Sequence, residues 1–135
     1  PECRKICGDR AVLRAFHIYA DNDRVAQQVA ALRQGDFDTF LALVNASGLS
    51  SWEYLQNVIP AGYTEHQEVA VAIAAAKKVL NGKGAVRVHG GGFAGTVQAF
   101  VPLELLDSFK AEMERILGEG RCHVLSIRPE GGAVL

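Results

Sequence analysis

Cysteine is scarce in this sequence: 135 residues include only Cys3, Cys7 and Cys122. The odd count argues against a closed disulfide framework and fits a reducing compartment, so a cytoplasmic location is expected. Cys3 and Cys7 are spaced C-x3-C and Cys122 precedes His123. No second paired motif completes a zinc set, so free thiols are expected and no metal site. Charge of one sign is also lacking. The formal net charge is −1 and no block of like charge stands out, which argues against a nucleic-acid or anionic-membrane surface. No apolar run approaches the roughly 20 residues that span a bilayer. The residues after Pro1 do not read as a signal peptide, so none is expected.

What is present is ordinary in bulk. Hydrophobic residues make up 49% and charged residues 21%, a soluble balance in a chain long enough to bury a core as one domain, residues 1–135. The first periodic segment, about 9–34, reads as a helix with Val12, Leu13, Phe16 and Ala20 on one face, continued by Ala26, Val29, Ala30 and Arg33. Gly35 stops it and Asp36 caps the next helix, whose stripe is Phe37, Phe40, Leu41 and Val44. Turn residues crowd 46–63, where Trp52, Tyr54, Leu55, Val58 and Ile59 suggest a short helix. Thr64 and Gln67 fit a capping box. The helix that follows carries Val69, Ala72, Ile73, Ala76, Val79 and Leu80, and ends at Asn81-Gly82.

The period then changes from helical to alternating. Val86 and Val88 mark one strand, and Val97, Ala99 and Val101 a second. Pro102 opens a helix whose stripe is Leu105, Leu106, Phe109, Met113, Ile116 and Leu117. Residues 121–128 read as a third strand, and 133–135 as a short last one. A helix between the second and third strands suggests a parallel crossover. The predicted class is α+β, a small mixed sheet backed by helices.

The most informative stretch is the turn between the first two strands. Four of the six residues from 90 to 95 are glycine. Each costs on the order of 0.5–1 kcal/mol relative to alanine in regular structure, and a hairpin needs only one or two. The excess points either to backbone that approaches something closely, such as an anion-binding nest, or to a glycine bulge packed under a helix. Gly90, Gly92 and Gly95 satisfy G-x-G-x-x-G, but the dinucleotide fingerprint requires a helix next, and 96–101 reads as strand. A Walker loop at Gly82-Lys83 fails because Lys77 and Gly84 occupy required motif positions.

Val86-Arg87-Val88-His89-Gly90-Gly91-Gly92-Phe93-Ala94-Gly95-Thr96-Val97 resembles the third conserved motif of the GHMP sugar kinases, whose galactokinase form reads approximately S-R-M-T-G-G-G-F-G-G-C. Arg87, Gly90, Gly91, Gly92, Phe93 and Gly95 match, while His89, Ala94 and Thr96 depart from it. Arg14-Ala15-Phe16-His17 with Asp21-Asn22-Asp23-Arg24-Val25 resembles the R-A-R-H-V-V-x-E-N-x-R-V helix of galactokinases. Leu32-Arg33-Gln34-Gly35-Asp36-Phe37 with Phe40 resembles A-L-x-x-G-D-x-x-x-F, and Pro129-Glu130-Gly131-Gly132-Ala133 the closing segment. The S-H-x-S-L and P-E-L-D signatures have no equivalent here.

The resemblance implies a GHMP kinase C-terminal, ferredoxin-like domain belonging to a larger galactokinase-like kinase. It implies ATP and Mg2+ as cofactors of the full-length enzyme, with neither bound tightly by this chain alone. The phosphate loop, magnesium ligands and catalytic Asp of the family belong to an N-terminal kinase domain, and no catalytic residue is expected here. The substrate implied is a sugar, galactose before others. Gly90, Gly91, Gly92, Phe93 and Gly95 would lie beside the phosphate loop and substrate, supported by Arg87 and His89. Arg87 is expected in an ion pair that holds the loop or the domain interface, and His17 in a local pair with Asp21 at i+4. The alternative is a stand-alone α+β metabolite-binding or regulatory module without catalysis.

Overall fold

A computed structural model describes residues 2–93 and 95–130. It shows an α+β arrangement in which one antiparallel hairpin lies between two layers of helices. Helix α1, Glu2–Gln34, is broken at Gly8, which takes φ 77° and ψ 168°, so regular helix resumes where the periodicity begins. Gly35 closes it in a left-handed conformation, and the Asp36 N–H bonds back to the Ala31 carbonyl at 2.9 Å. Asp36 then caps α2, Phe37–Ser50, accepting the Thr39 N–H at 3.0 Å. A single wide turn, Ser51–Leu55, follows and ends at Gln56 in the left-handed region.

Helix α3, Glu68–Leu80, buries Val69, Ala72, Ile73, Ala76 and Leu80, which is the expected stripe. Its start differs from the capping box. Gln67 is the N-cap residue and makes no side-chain cap; its Nε2 instead reaches back to the Tyr63 carbonyl at 3.2 Å. Thr64 lies outside the helix because the 56–67 connection runs to Gln67 before it turns helical. Strands β1, Ala85–His89, and β2, Thr96–Phe100, pair with Val86 opposite Ala99 and Val88 opposite Val97. After Pro102, one 3-10 turn leads into α4, Leu106–Leu117.

The strand alternation sorts the hairpin into two faces. On one, Val86 and Val88 join Val58, Val69, Ile73, Ala76, Leu80, Phe109 and Met113 in the apolar core, with Val97 and Ala99 beside them. On the other lie Arg87 and Phe100, against α2. Phe100 meets Phe40 edge-on, ring centroids 5.3 Å apart. Gly48 is packed so tightly on β1 that a Cβ there would lie 2.8 Å from the Arg87 Cβ.

The two edges of the hairpin also differ. Asn45 clasps the outer edge of β1: its Nδ2 donates to the Gly84 carbonyl, and its Oδ1 accepts the Val86 N–H, both at 3.1 Å. Arg87 Nε donates to the Val88 carbonyl on the same edge at 3.0 Å. Pairing register turns the N–H and C=O groups of Val97 and Ala99 away from β1, and among the described residues nothing bonds to them.

The expected third strand is not formed, and with it goes the parallel crossover: the sheet is two-stranded and antiparallel. Residues 121–128 have the composition of a strand but take no strand conformation. Cys122 packs on the core, after which Leu125 and Ile127 are 87% and 85% exposed. Composition supplies a strand's side chains, whereas a strand also needs a neighbouring edge for its backbone groups. The expected strand at 133–135 lies outside the described residues.

The buried line of α1 also departs from expectation. Phe16 and Val29 are exposed, and the residues turned inward are His17 and Ala31, with Asp21 and Arg24 partly covered between them. The layer α1 meets presents Ser47 and Ser50, so polar groups find partners there that apolar ones would not.

Candidate functional site

The glycine turn connects β1 to β2 at one end of the hairpin, and its backbone is unusual. Gly90 and Gly92 have φ of 67° and 79°, and Phe93 has φ 59°. A left-handed aromatic residue costs on the order of 1–2 kcal/mol, so something must hold it. That holder is Asn57, in the segment that follows the Ser51–Leu55 turn. The Asn57 carbonyl accepts the Phe93 N–H, and its Nδ2 lies 3.4 Å from the Gly91 carbonyl, a long hydrogen bond. Gly92 sits so close that a Cβ would collide with the Asn57 carbonyl oxygen and approach its Cγ to 2.8 Å. Glycine at 92 is therefore a matter of both conformation and space. Asn57 is 4% exposed and its Oδ1 has no hydrogen-bond partner among the described residues.

Gly91 is different. It is exposed, it does not need a positive φ, and a Cβ there would meet nothing within 4 Å. Folding does not require glycine at this position. Gly90 and Gly91 line a depression of about 190 Å³ with Arg14, Leu55, Asn57 and Phe93. Gly95 lies outside that lining; its N–H bonds to the Gly92 carbonyl at 3.1 Å, which closes the turn on itself.

Arg87 and His89 flank the turn but do not enter the depression. His89 is exposed at the end of β1, opposite Thr96. Arg87 makes no direct ion pair. Its guanidinium donates to Ser47 Oγ at 2.6 Å, and Ser47 donates onward to Asp21 Oδ1 at 2.6 Å. Arg24 binds the same carboxylate oxygen at 2.8 Å. His17 completes the group, with Nδ1 3.0 Å from the buried Ser50 Oγ and Nε2 3.7 Å from Asp21 Oδ2. The expected His17–Asp21 neighbourhood is thus present, as part of a network linking α1, α2 and β1.

Burial lowers the His17 pKa; Asp21 pulls the other way, while the Arg24 and Arg87 cations add to the lowering. The His17–Asp21 approach is therefore a neutral ring beside a carboxylate at neutral pH, not an ion pair. For Asp21, burial alone would raise the pKa, but hydrogen bonds from Ser47 and Arg24, with the nearby positive charges, carry it below the usual carboxylate value. The network is partly buried and braces the strand that leads into the turn. Its signal in the sequence was the i, i+4, i+7 spacing of His17, Asp21 and Arg24. Ser47 and Ser50 gave no signal, nor did Asn57.

Among the described residues no group of three His, Cys, Asp or Glu side chains is placed to hold a metal ion, and no helix is long and apolar enough to cross a membrane. No protein-family model matches the sequence.

Proposed function

We propose that this chain is the C-terminal part of a galactokinase-like, ATP-dependent sugar kinase, acting in the cytoplasm, and that its glycine turn forms one wall of the active-site cleft. The observation that carries this reading is the Gly90–Gly91 backbone on the rim of a concave surface, with Gly91 free of any folding reason to be glycine. A residue without a side chain in open space lets a second body come close to the backbone. The motif series quoted above supplies the identity of that body: the phosphate loop of an N-terminal kinase domain, with a sugar, galactose before others, between the two. The finer fold proposed is the ferredoxin-like C-terminal domain of GHMP kinases. The outer edge of β2, open among the described residues, fits a sheet completed by further strands of a longer protein.

The donors around the turn are one arginine, one asparagine and backbone, with no carboxylate. They do not fit Mg2+, and no step of transfer is assigned to them through that ion. The role left to this chain is to exclude water and shape the pocket. The test is Gly91→Val in the full-length enzyme. Turnover of ATP and galactose should fall while the melting temperature stays put, because the new side chain meets only open space on this chain. Unchanged turnover rejects the role.

A further inference from the structure

The depression beside the turn holds one cation that makes no polar contact among the described residues and to which the kinase reading assigns no role. Arg14, exposed on α1, lines it. Among the described residues the Arg14 side chain has no ion pair and no hydrogen bond, and no carboxylate lines the depression to neutralise it. In the same lining, the N–H groups of Gly90 and Gly91 make no backbone hydrogen bond among the described residues. The backbone there changes hand, positive φ at Gly90 and Gly92 with Gly91 between them in an ordinary conformation. Alternation of that kind gathers successive N–H groups into a concave, anion-binding nest. Asn57, nine-tenths buried in the same lining, donates from Nδ2 to the Gly91 carbonyl, so the turn is braced before any ligand arrives. Leu55 and Phe93 add an apolar wall.

We infer that this depression is a binding site for a phosphate monoester, with the phosphoryl oxygens held by the Arg14 guanidinium and the Gly90 and Gly91 N–H groups, and the organic body against Leu55 and Phe93. The planar fork of arginine matches phosphate oxygens, and charge-assisted hydrogen bonds give the contact its strength. The site uses groups of this chain alone. It concerns the same turn as the kinase reading but does not require the N-terminal domain, so the two can fail separately: one is read from turnover of the full-length enzyme, the other from binding to this chain.

The experiment is an amide-resolved NMR titration of the 135-residue chain with phenyl phosphate and, separately, inorganic phosphate. Saturable shifts are expected at Gly90, Gly91 and Phe93, with the monoester the tighter of the two. Arg14→Gln should weaken the monoester about tenfold or more, the loss expected for one charge-assisted contact, and Arg14→Lys should recover only part. The same spectra show whether each variant is folded. Tighter binding of inorganic phosphate would reduce the site to a free-anion site and overturn the monoester assignment. Shifts that do not saturate, that spread over other basic residues, or that survive Arg14→Gln would overturn the site altogether.

Discussion

The two faces of β1 are built on opposite principles. Toward α3 and α4, Val86 and Val88 enter a core of aliphatic and aromatic side chains closed by Phe109 and Met113. Toward α1 and α2, Arg87 enters a chain of hydrogen bonds running through Ser47 to Asp21, with His17 and Arg24 around it. The apolar face draws its stability from area removed from water, which is insensitive to direction and to pH. The polar face draws on specific partners, and its value is the difference between satisfied and unsatisfied buried groups. One strand thus receives bulk cohesion from one side and a defined position from the other.

Mutations should separate the two. The largest effect is expected for Phe109→Ala, which removes a ring from the middle of the apolar face and should cost about 3–5 kcal/mol in denaturant unfolding. A loss below about 1 kcal/mol would mean that this face is not the main source of cohesion. Ser47→Ala should cost less, about 1–3 kcal/mol, because it leaves the Asp21 carboxylate and the Arg87 guanidinium each short of a partner. If Ser47→Ala proves as stable as the parent, the polar network is decoration and the contrast fails.

The subtlest effect is in pH. Folding lowers the His17 pKa from its ordinary 6.5, so the unfolded chain binds the proton more readily. Stability contributed by the neutral ring is full above about 6.5 and is lost as pH falls through that value toward the lowered one. Asp21, also lowered from 3.8, adds a loss of the same sign at lower pH. Urea unfolding followed from pH 8 to pH 5 should show this decline in the parent and a flatter curve in His17→Gln. Phe109→Ala should shift the whole curve down without altering its shape. A parent curve that rises on acidification would reverse the assignment of His17 as neutral.

Much of this architecture was legible from periodicity. The stripe of α3, the Asp36 cap and the change to alternating residues at 86 and 97 all stand where local rules put them, because each is decided within a few residues. The failures share a cause. Residues 121–128 look like a strand, yet pairing depends on an edge that the segment does not itself supply. Phe16 and Val29 look like core, yet α1 turns His17 and Asp21 inward because the facing helix offers serine hydroxyls. At the candidate site, the glycines and Phe93 were visible as a motif. Asn57 was not, and Arg14, though part of a quoted motif, carried no sign of its place beside the turn, since the packing of distant segments puts both there.

The close contact at Gly48 has a consequence for how the hairpin finds its alignment. Asn45, Ser47 and Gly48 fall within one turn of α2, and between them they touch Gly84, Val86 and Arg87. A slip of one residue would drive a valine into the slot that admits only the arginine stem and leave the asparagine with the wrong backbone groups. The helix therefore acts as a ruler for the strand. The loop at the hairpin's tip is relieved of setting that alignment, and its shape is left for contact with other molecules.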